Sequence, residues 1–203
     1  MAERVRVGVL VSGRGTNMVA LSEYKRREAR SYDLALVASN VPEARGLVVA
    51  RRLGIPVWAH SHKGLEREAF DHLIDLALRE ADVEVVALAG YMRLLSAEFI
   101  AKWKGRILNI HPSLLPAYKG LDTHRRALEA GEIWVGCSVH LVTDELDGGA
   151  VLAQAKVRVR ERETAQQLAD RVLKEEHRLY PETLDKFCAR LRPGHVDLLP
   201  PDG

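Results

Sequence analysis

Val5-Arg6-Val7-Gly8-Val9-Leu10-Val11-Ser12-Gly13-Arg14-Gly15-Thr16-Asn17 is the stretch that decides the fold. Val5–Val11 is apolar and largely β-branched, which predicts a strand buried on both faces. Ser12–Asn17 breaks the run with two glycines. A helical pattern then continues through Met18, Leu21 and Tyr24. Strand, glycine turn and helix in this order open a βαβ unit.

The same alternation extends outward from that start. Leu34–Ser39 predicts a second strand, and Ala44–Leu53 a helix with Gly54 at its C-terminal cap. Pro56–Ala59 is a short third strand. Glu66–Glu80 is an amphipathic helix with Phe70, Leu73, Ile74, Ala77 and Leu78 on one face. Val85–Ala89 and Arg106–Ile110 are the fourth and fifth strands. Repeated strand–helix units imply a parallel sheet with right-handed crossovers and helices on both faces. The period then changes. Val135–Val142 and Val151–Arg160 alternate residue by residue, which predicts an antiparallel edge with one face toward water, joined through Asp144–Gly149. Thr164–Leu191 reads as a long helix capped by Thr164. Pro181 is expected to kink it, because its missing N–H frees the carbonyl of His177. The stretch after Pro193 is expected to be loose. The expectation is one doubly wound α/β domain over residues 1–203, its sheet mostly parallel with an antiparallel edge.

Composition narrows the function classes. The 203 residues fit one α/β domain, and 47% hydrophobic with 29% charged residues excludes a disordered chain. The 30 Lys+Arg are interspersed with 28 Asp+Glu, for a net charge of +2, so no basic face of the kind that binds nucleic acid stands out. No stretch approaches the roughly 18 apolar residues of a membrane span, and Val5–Val11 is too short for a signal peptide. Cys137 and Cys188 lie far apart with no metal or redox spacing, which fits a reduced, cytoplasmic setting. His60-x-His62 has the spacing of a metal pair, but no third ligand follows, so a polar loop and no metal are expected.

Three segments carry chemistry. Gly15, Thr16 and Asn17 stand where a helix begins after a strand, a place whose unpaired N–H groups suit a phosphate; an ordinary βα turn explains them equally well. Asn109 and His111, in Asn109-Ile110-His111-Pro112, are two apart and so face the same side of a strand end. Pro112 keeps His111 extended. An amide beside an imidazole can donate to an oxygen that is gaining negative charge, although a strand end with a satisfied histidine remains open. Thr143-Asp144-Glu145-Leu146-Asp147-Gly148-Gly149 does not match a calcium loop. It is either a hairpin turn or a source of one carboxylate beside His111, where it would favour the imidazolium. Ser12 and Cys137, the obvious nucleophile candidates, have no evident base.

Together, Ser12–Asn17, Ala89-Gly90-Tyr91-Met92-Arg93-Leu94-Leu95, Asn109–Pro116 and Ser138–Gly149 occur in the order and approximate spacing of the glycinamide ribonucleotide formyltransferase family. The resemblance runs from about Val5 to about Leu191. Its Asn–x–His and Asp motifs belong to a wider superfamily that uses 10-formyltetrahydrofolate, and the glycine loop narrows it. The resemblance implies formyl transfer from 10-formyltetrahydrofolate to glycinamide ribonucleotide in purine synthesis. The first half would bind the phosphate and the second would complete the folate site. It implies that Gly15, Thr16, Asn17, Lys174, Glu175 and Glu176 hold the ribonucleotide. Arg67, Met92, Arg93, Leu94, Leu95, Asn109 and Thr143, Asp144, Glu145, Leu146, Asp147 would line the folate pocket. His111 would be the proton donor, with Asp147 raising its pKa and orienting it. It also implies small-molecule partners only, no nucleic acid or membrane, no metal, and a monomer or homodimer. Lys119-Gly120-Leu121-Asp122-Thr123 departs from an expected Pro-Gly-Leu-His-Thr, and Arg14 replaces a frequent Asn. The alternatives are a formyltetrahydrofolate hydrolase or a non-catalytic nucleotide-binding module. Hydrolases carry an extra N-terminal regulatory domain and methionyl-tRNA formyltransferases an extra C-terminal one; this chain is expected to have neither.

Overall fold

The computed structural model describes residues 4–27 and 31–192. The elements run β1 (Val5–Val11), α1 (Thr16–Arg27), β2 (Tyr32–Ser39), α2 (Arg45–Arg52), β3 (Val57–Ala59), α3 (Arg67–Glu80), β4 (Val85–Leu88), α4 (Ala97–Lys102), β5 (Ile107–His111), α5 (Thr123–Glu129), β6 (Trp134–Leu141), β7 (Val151–Arg158) and α6 (Ala165–Arg190). The stretch after Pro193, including His195, lies outside the described residues.

The seven strands form one sheet in the order β3-β2-β1-β4-β5-β6-β7. Strands β3 to β5 pair in parallel, whereas β5–β6 and β6–β7 pair antiparallel. Alternation along β1 divides the core. Val5, Val7, Val9 and Val11 join a cluster with residues of α1, α2 and α6, while Leu10 joins one with Phe70, Ile74 and Leu78 of α3. Each of these valines is fully buried, a gain of about 1.5–3 kcal/mol per side chain. Gly8 faces α3, where an added Cβ would lie 2.4 Å from the Leu78 side chain. Helices therefore cover both faces, as the near-continuous apolar strands require.

One expectation needs correction. Strand β6 does not turn one face to water: Val135 through His140 are all buried. Its apolar side lies beneath α6. Its polar side is covered by the segment after β5, because Ser138 Oγ donates to Ser113 O (2.7 Å) and accepts from Leu115 N–H (3.0 Å). Ser138 thus faces a hydrogen-bonded segment rather than solvent. The alternation survives better in β7, where Lys156 and Arg158 are exposed between buried Ala155 and Val157. Helix α6 is one helix from Ala165 to Arg190 with Pro181 inside it, close to the predicted bounds. Its start matches expectation: Thr164 Oγ1 accepts from Gln167 N–H, and the Gln167 side chain accepts from Thr164 N–H, a capping box. The short helices α4 and α5 had no counterpart in the sequence pattern.

Helix α6 is pinned to the middle of the sheet by Tyr180. Its buried hydroxyl lies 3.1 Å from Leu88 O and 3.0 Å from Leu108 O, bridging β4 and β5 under the ends that carry the polar residues. Replacing Tyr180 by Phe keeps the ring and removes this tie. The expected cost is about 0.5–1.5 kcal/mol, read as a lower urea midpoint with an unchanged m-value.

Candidate functional site

The site begins with a register. In the β5–β6 pair Asn109 stands opposite His140 and His111 opposite Ser138. Directly opposed residues share a face, so four polar side chains gather at the carboxyl end of the parallel strands. Open α/β sheets place their ligands at such ends.

Asp147 reaches this group from the loop after β6. Its side chain is only 8% exposed, and its backbone is left-handed at φ 48°. Oδ2 accepts from Gly120 N–H at 2.9 Å and lies 3.4 Å from His111 Nδ1. Oδ1 lies 3.5 Å from His140 Nε2. Burial pushes the carboxyl pKa up. The hydrogen bond from His140, the Gly120 N–H and the charges of both imidazoles outweigh it, so the net shift is downward. Asp147 is thus an anion set between two imidazoles.

The hydrogen bonds of each ring constrain its protons. His111 Nε2 donates to the Tyr118 carbonyl at 3.0 Å while Nδ1 faces Asp147, so both nitrogens look at oxygen acceptors. His140 Nδ1 donates to Leu141 O at 2.8 Å. Its Nε2 has two neighbours, Asn109 Nδ2 at 3.1 Å and Asp147 Oδ1 at 3.5 Å. As a neutral ring it accepts from Asn109; as an imidazolium it donates to Asp147. A third imidazole, His124, stands in the same region. Burial and then the charge of His111 lower its pKa, which favours its neutral form. Spacing alone assigns no role to His140 or His124. The signal for His140 was present, since it alternates with Ser138 along one strand face.

These groups line a cavity of about 840 Å³. Arg67, Met92, Arg93, Leu94, Leu95, Asn109, His111 and the whole of Thr143–Asp147 lie on its wall, together with His124, His140 and Gln166 of α6. The volume falls in the usual range for organic ligands of drug size, about 300–1,000 Å³. Met92 (72% exposed), Leu94 (54%), Leu121 (77%) and Leu146 (52%) put large apolar side chains at its rim. An apolar rim around a few polar groups suits a flat aromatic ligand. Lys119, one of the departures in the loop, pairs with Glu145 at 2.6 Å, and Asp122 pairs with Arg125 at 2.8 Å.

The glycine loop lies outside that wall. Gly15 has φ 71°, and a Cβ there would lie 2.8 Å from Gly46 Cα, so α2 packs against the loop backbone. Gly46 N–H donates to Gly13 O at 2.9 Å. Asn17, 7% exposed, donates from Nδ2 to Glu176 Oε2 at 2.7 Å, while its Oδ1 has no partner among the described residues. Burial raises the pKa of Glu176. Of the three α6 residues named from sequence, Glu176 meets the glycine loop, Glu175 pairs with Arg178 at 3.0 Å, and Lys174 is exposed.

Neither Ser12 nor Cys137 is activated as a nucleophile among the described residues. Ser12 Oγ donates to the Asn40 amide oxygen at 2.6 Å rather than to a base, and burial pushes the Cys137 thiol up to about 12. His60 and His62 donate from Nδ1 to the carbonyls of Ser61 and Asn40, each at 2.8 Å. No helix among the described residues is long and apolar enough to cross a membrane.

Comparison with known proteins extends this picture. A family model described as formyl transferase matches residues 5–184. The phosphoribosylglycinamide formyltransferase of Escherichia coli K12 is 42% identical over 188 residues, covering 91% of this chain and 87% of that protein. The trifunctional purine biosynthetic protein adenosine-3 of Gallus gallus is 44% identical over 182 residues, covering 89% of this chain; the chain spans 18% of that protein's length. The crystal structure of phosphoribosylglycinamide formyltransferase from Brucella melitensis superposes with a TM-score of 0.88 at 47% identity, covering 96% of this chain and 99% of that one.

The lowered pKa of Asp147 makes a linkage prediction. A carboxylate whose folded pKa is depressed contributes stability that is complete above its unfolded pKa, about 3.9, and is lost as pH falls through the folded value. Asp147→Asn is therefore expected to be less stable than wild type in urea at pH 7. The gap should narrow as pH drops below about 4. A gap independent of pH contradicts the placement of charge.

Proposed function

The chain belongs to the formyl transferase family, and on that premise we propose that it moves the formyl group of 10-formyltetrahydrofolate to the amine of glycinamide ribonucleotide. The products are formylglycinamide ribonucleotide and tetrahydrofolate, and the reaction serves purine synthesis. The observation that carries the proposal is the convergence of Asn109, His111 and Asp147 on one wall of an apolar-rimmed cavity.

The neutral amine attacks the formyl carbon, and the carbonyl oxygen becomes an oxyanion in the tetrahedral intermediate. The Asn109 amide and an N–H of His111 stabilise it, acting where charge develops. To serve the substrate, His111 Nε2 exchanges the Tyr118 carbonyl for a substrate oxygen, while Asp147 stays against Nδ1 and fixes the ring. Collapse of the intermediate expels the folate nitrogen, which takes a proton from His111 or from a water held by Asp147, and the proton released by the attacking amine restores that donor. The folate ring lies among Met92, Arg93, Leu94, Leu95 and the Thr143–Asp147 loop, with Arg67 near its anionic end. The ribonucleotide phosphate lies at Gly15, Thr16 and Asn17, where α1 offers N–H groups. Lys174, Glu175 and Glu176 complete that site, with Glu176 holding the Asn17 amide in place. Residues 1–203 act as one such domain, as a monomer or homodimer in the cytoplasm, on small molecules alone.

His111→Ala and Asn109→Ala are each expected to reduce turnover by about 10²–10³. Asp147→Asn should fall at least as far, with substrate binding still measurable. The assay follows the absorbance change on mixing protein, formyl donor and ribonucleotide. Near-native turnover in any of the three variants overturns the roles. Donor consumption that does not need the ribonucleotide identifies a hydrolase instead, and binding of both ligands without turnover identifies a non-catalytic module.

A further inference from the structure

The proposed function leaves one polar chain unexplained. It starts at the cavity wall and ends at His62, in the segment after β3. Met92 N–H donates to Ser12 Oγ at 2.8 Å. Ser12 Oγ donates in turn to Asn40 Oδ1 at 2.6 Å. Asn40 is 3% exposed, and its backbone carbonyl accepts from His62 Nδ1 at 2.8 Å. The Ser12 backbone takes part as well, because its N–H donates to Gly90 O at 3.1 Å. One residue at the tip of β1 thus holds the turn after β4 at two points. That turn, Gly90 to Leu95, forms a wall of the large cavity.

The chemistry is specific to a hydroxyl. Met92 N–H needs an acceptor and Asn40 Oδ1 needs a donor; a serine oxygen supplies both at once. Met92 itself is 72% exposed, so its own side chain does not fix its backbone, although Tyr91 and Leu95 of the same turn pack against the core. The next residue in sequence after Ser12 opens the glycine loop, whose Gly13 carbonyl is held by Gly46 N–H. The two proposed substrate regions therefore meet at Ser12 and Gly13.

We infer that Ser12 is a positioning residue that fixes the cavity-wall turn 90–95 against the glycine loop, so that the formyl donor meets a preformed surface. This rests on the formyl-transfer reading for its kinetic consequence, although the tie itself does not. Without the hydroxyl the Met92 N–H loses its acceptor, and ligand binding must order the backbone at Met92.

The test compares wild type, Ser12→Ala, Ser12→Thr and Asn40→Ala. Ser12→Ala should raise KM for 10-formyltetrahydrofolate about five- to tenfold. Its kcat and its KM for the ribonucleotide should stay within about threefold. Ser12→Thr keeps a hydroxyl and should restore KM. Asn40→Ala leaves the acceptor for Met92 but frees its rotor, so its rise should be smaller. Hydrogen exchange at the Met92 amide, measured without ligand, should speed up in Ser12→Ala and recover in Ser12→Thr. A native KM and unchanged Met92 exchange in Ser12→Ala overturn the inference. So does a loss confined to kcat, or equal defects in the Ala and Thr variants, which would mark general damage to the fold. If wild type turns over neither substrate, the formyl-transfer reading fails, and Met92 exchange still decides the role of Ser12.

Discussion

The antiparallel pairing of β5 with β6 is the constraint on which the site depends, because it sets Asn109 opposite His140 and His111 opposite Ser138. The chain reaches β6 through residues 112–133, whose Tyr118 carbonyl and Gly120 N–H return over the site. From β6 it then passes directly into Thr143–Asp147. The Asp147 carboxylate then falls within 3.5 Å of both rings. A buried carboxylate alone would be costly. Here the Gly120 N–H and the two imidazoles hold it ionised, and it in turn orients both rings.

Backbone strain gathers where this arrangement is assembled. Tyr118, Asp122 and Asp147 all have left-handed backbones, at φ 55°, 56° and 48°. Such positions cost on the order of 1 kcal/mol or more for a residue with a Cβ and persist where the surroundings enforce them. The enforcing contacts are visible: Tyr118 O takes the His111 N–H, Gly120 N–H meets Asp147, and Arg126 donates to Lys119 O and Leu121 O. The loop over the site and the acid within it are thus held by the same few groups. On the far side, Ser12 joins the opposite wall to the glycine loop. The proposed donor and acceptor regions are neighbours through a single residue.

Much of the fold was legible because its strands are apolar and its glycines fall at the turns. β1 and the boundaries of α3 and α6 follow from periodicity and capping residues. α4 and α5 were not legible, since six and seven residues give too few repeats of a helical face. The alternation of β6 was read correctly as a pattern and wrongly as exposure. Period two reports a change of environment between faces, and a covering loop supplies a polar environment as well as water does. Asn109 and His111 announced a shared face by spacing alone. Asp147 did not, because its approach depends on a left-handed turn and on long-range pairing that local sequence does not encode. For the same reason the neighbourhood of His124 and the Asn17–Glu176 contact emerge only from the packing of α5 and α6.

We propose direct transfer: one formyl group passes from donor to amine within one cavity, with no covalent enzyme intermediate and no release as formate. Carbon-13 NMR of the protein mixed with 10-[¹³C-formyl]tetrahydrofolate and glycinamide ribonucleotide follows that group. The label is expected on the ribonucleotide amine in step with the tetrahydrofolate formed. Accumulation of labelled formate, or a label that stays on the donor, would contradict it.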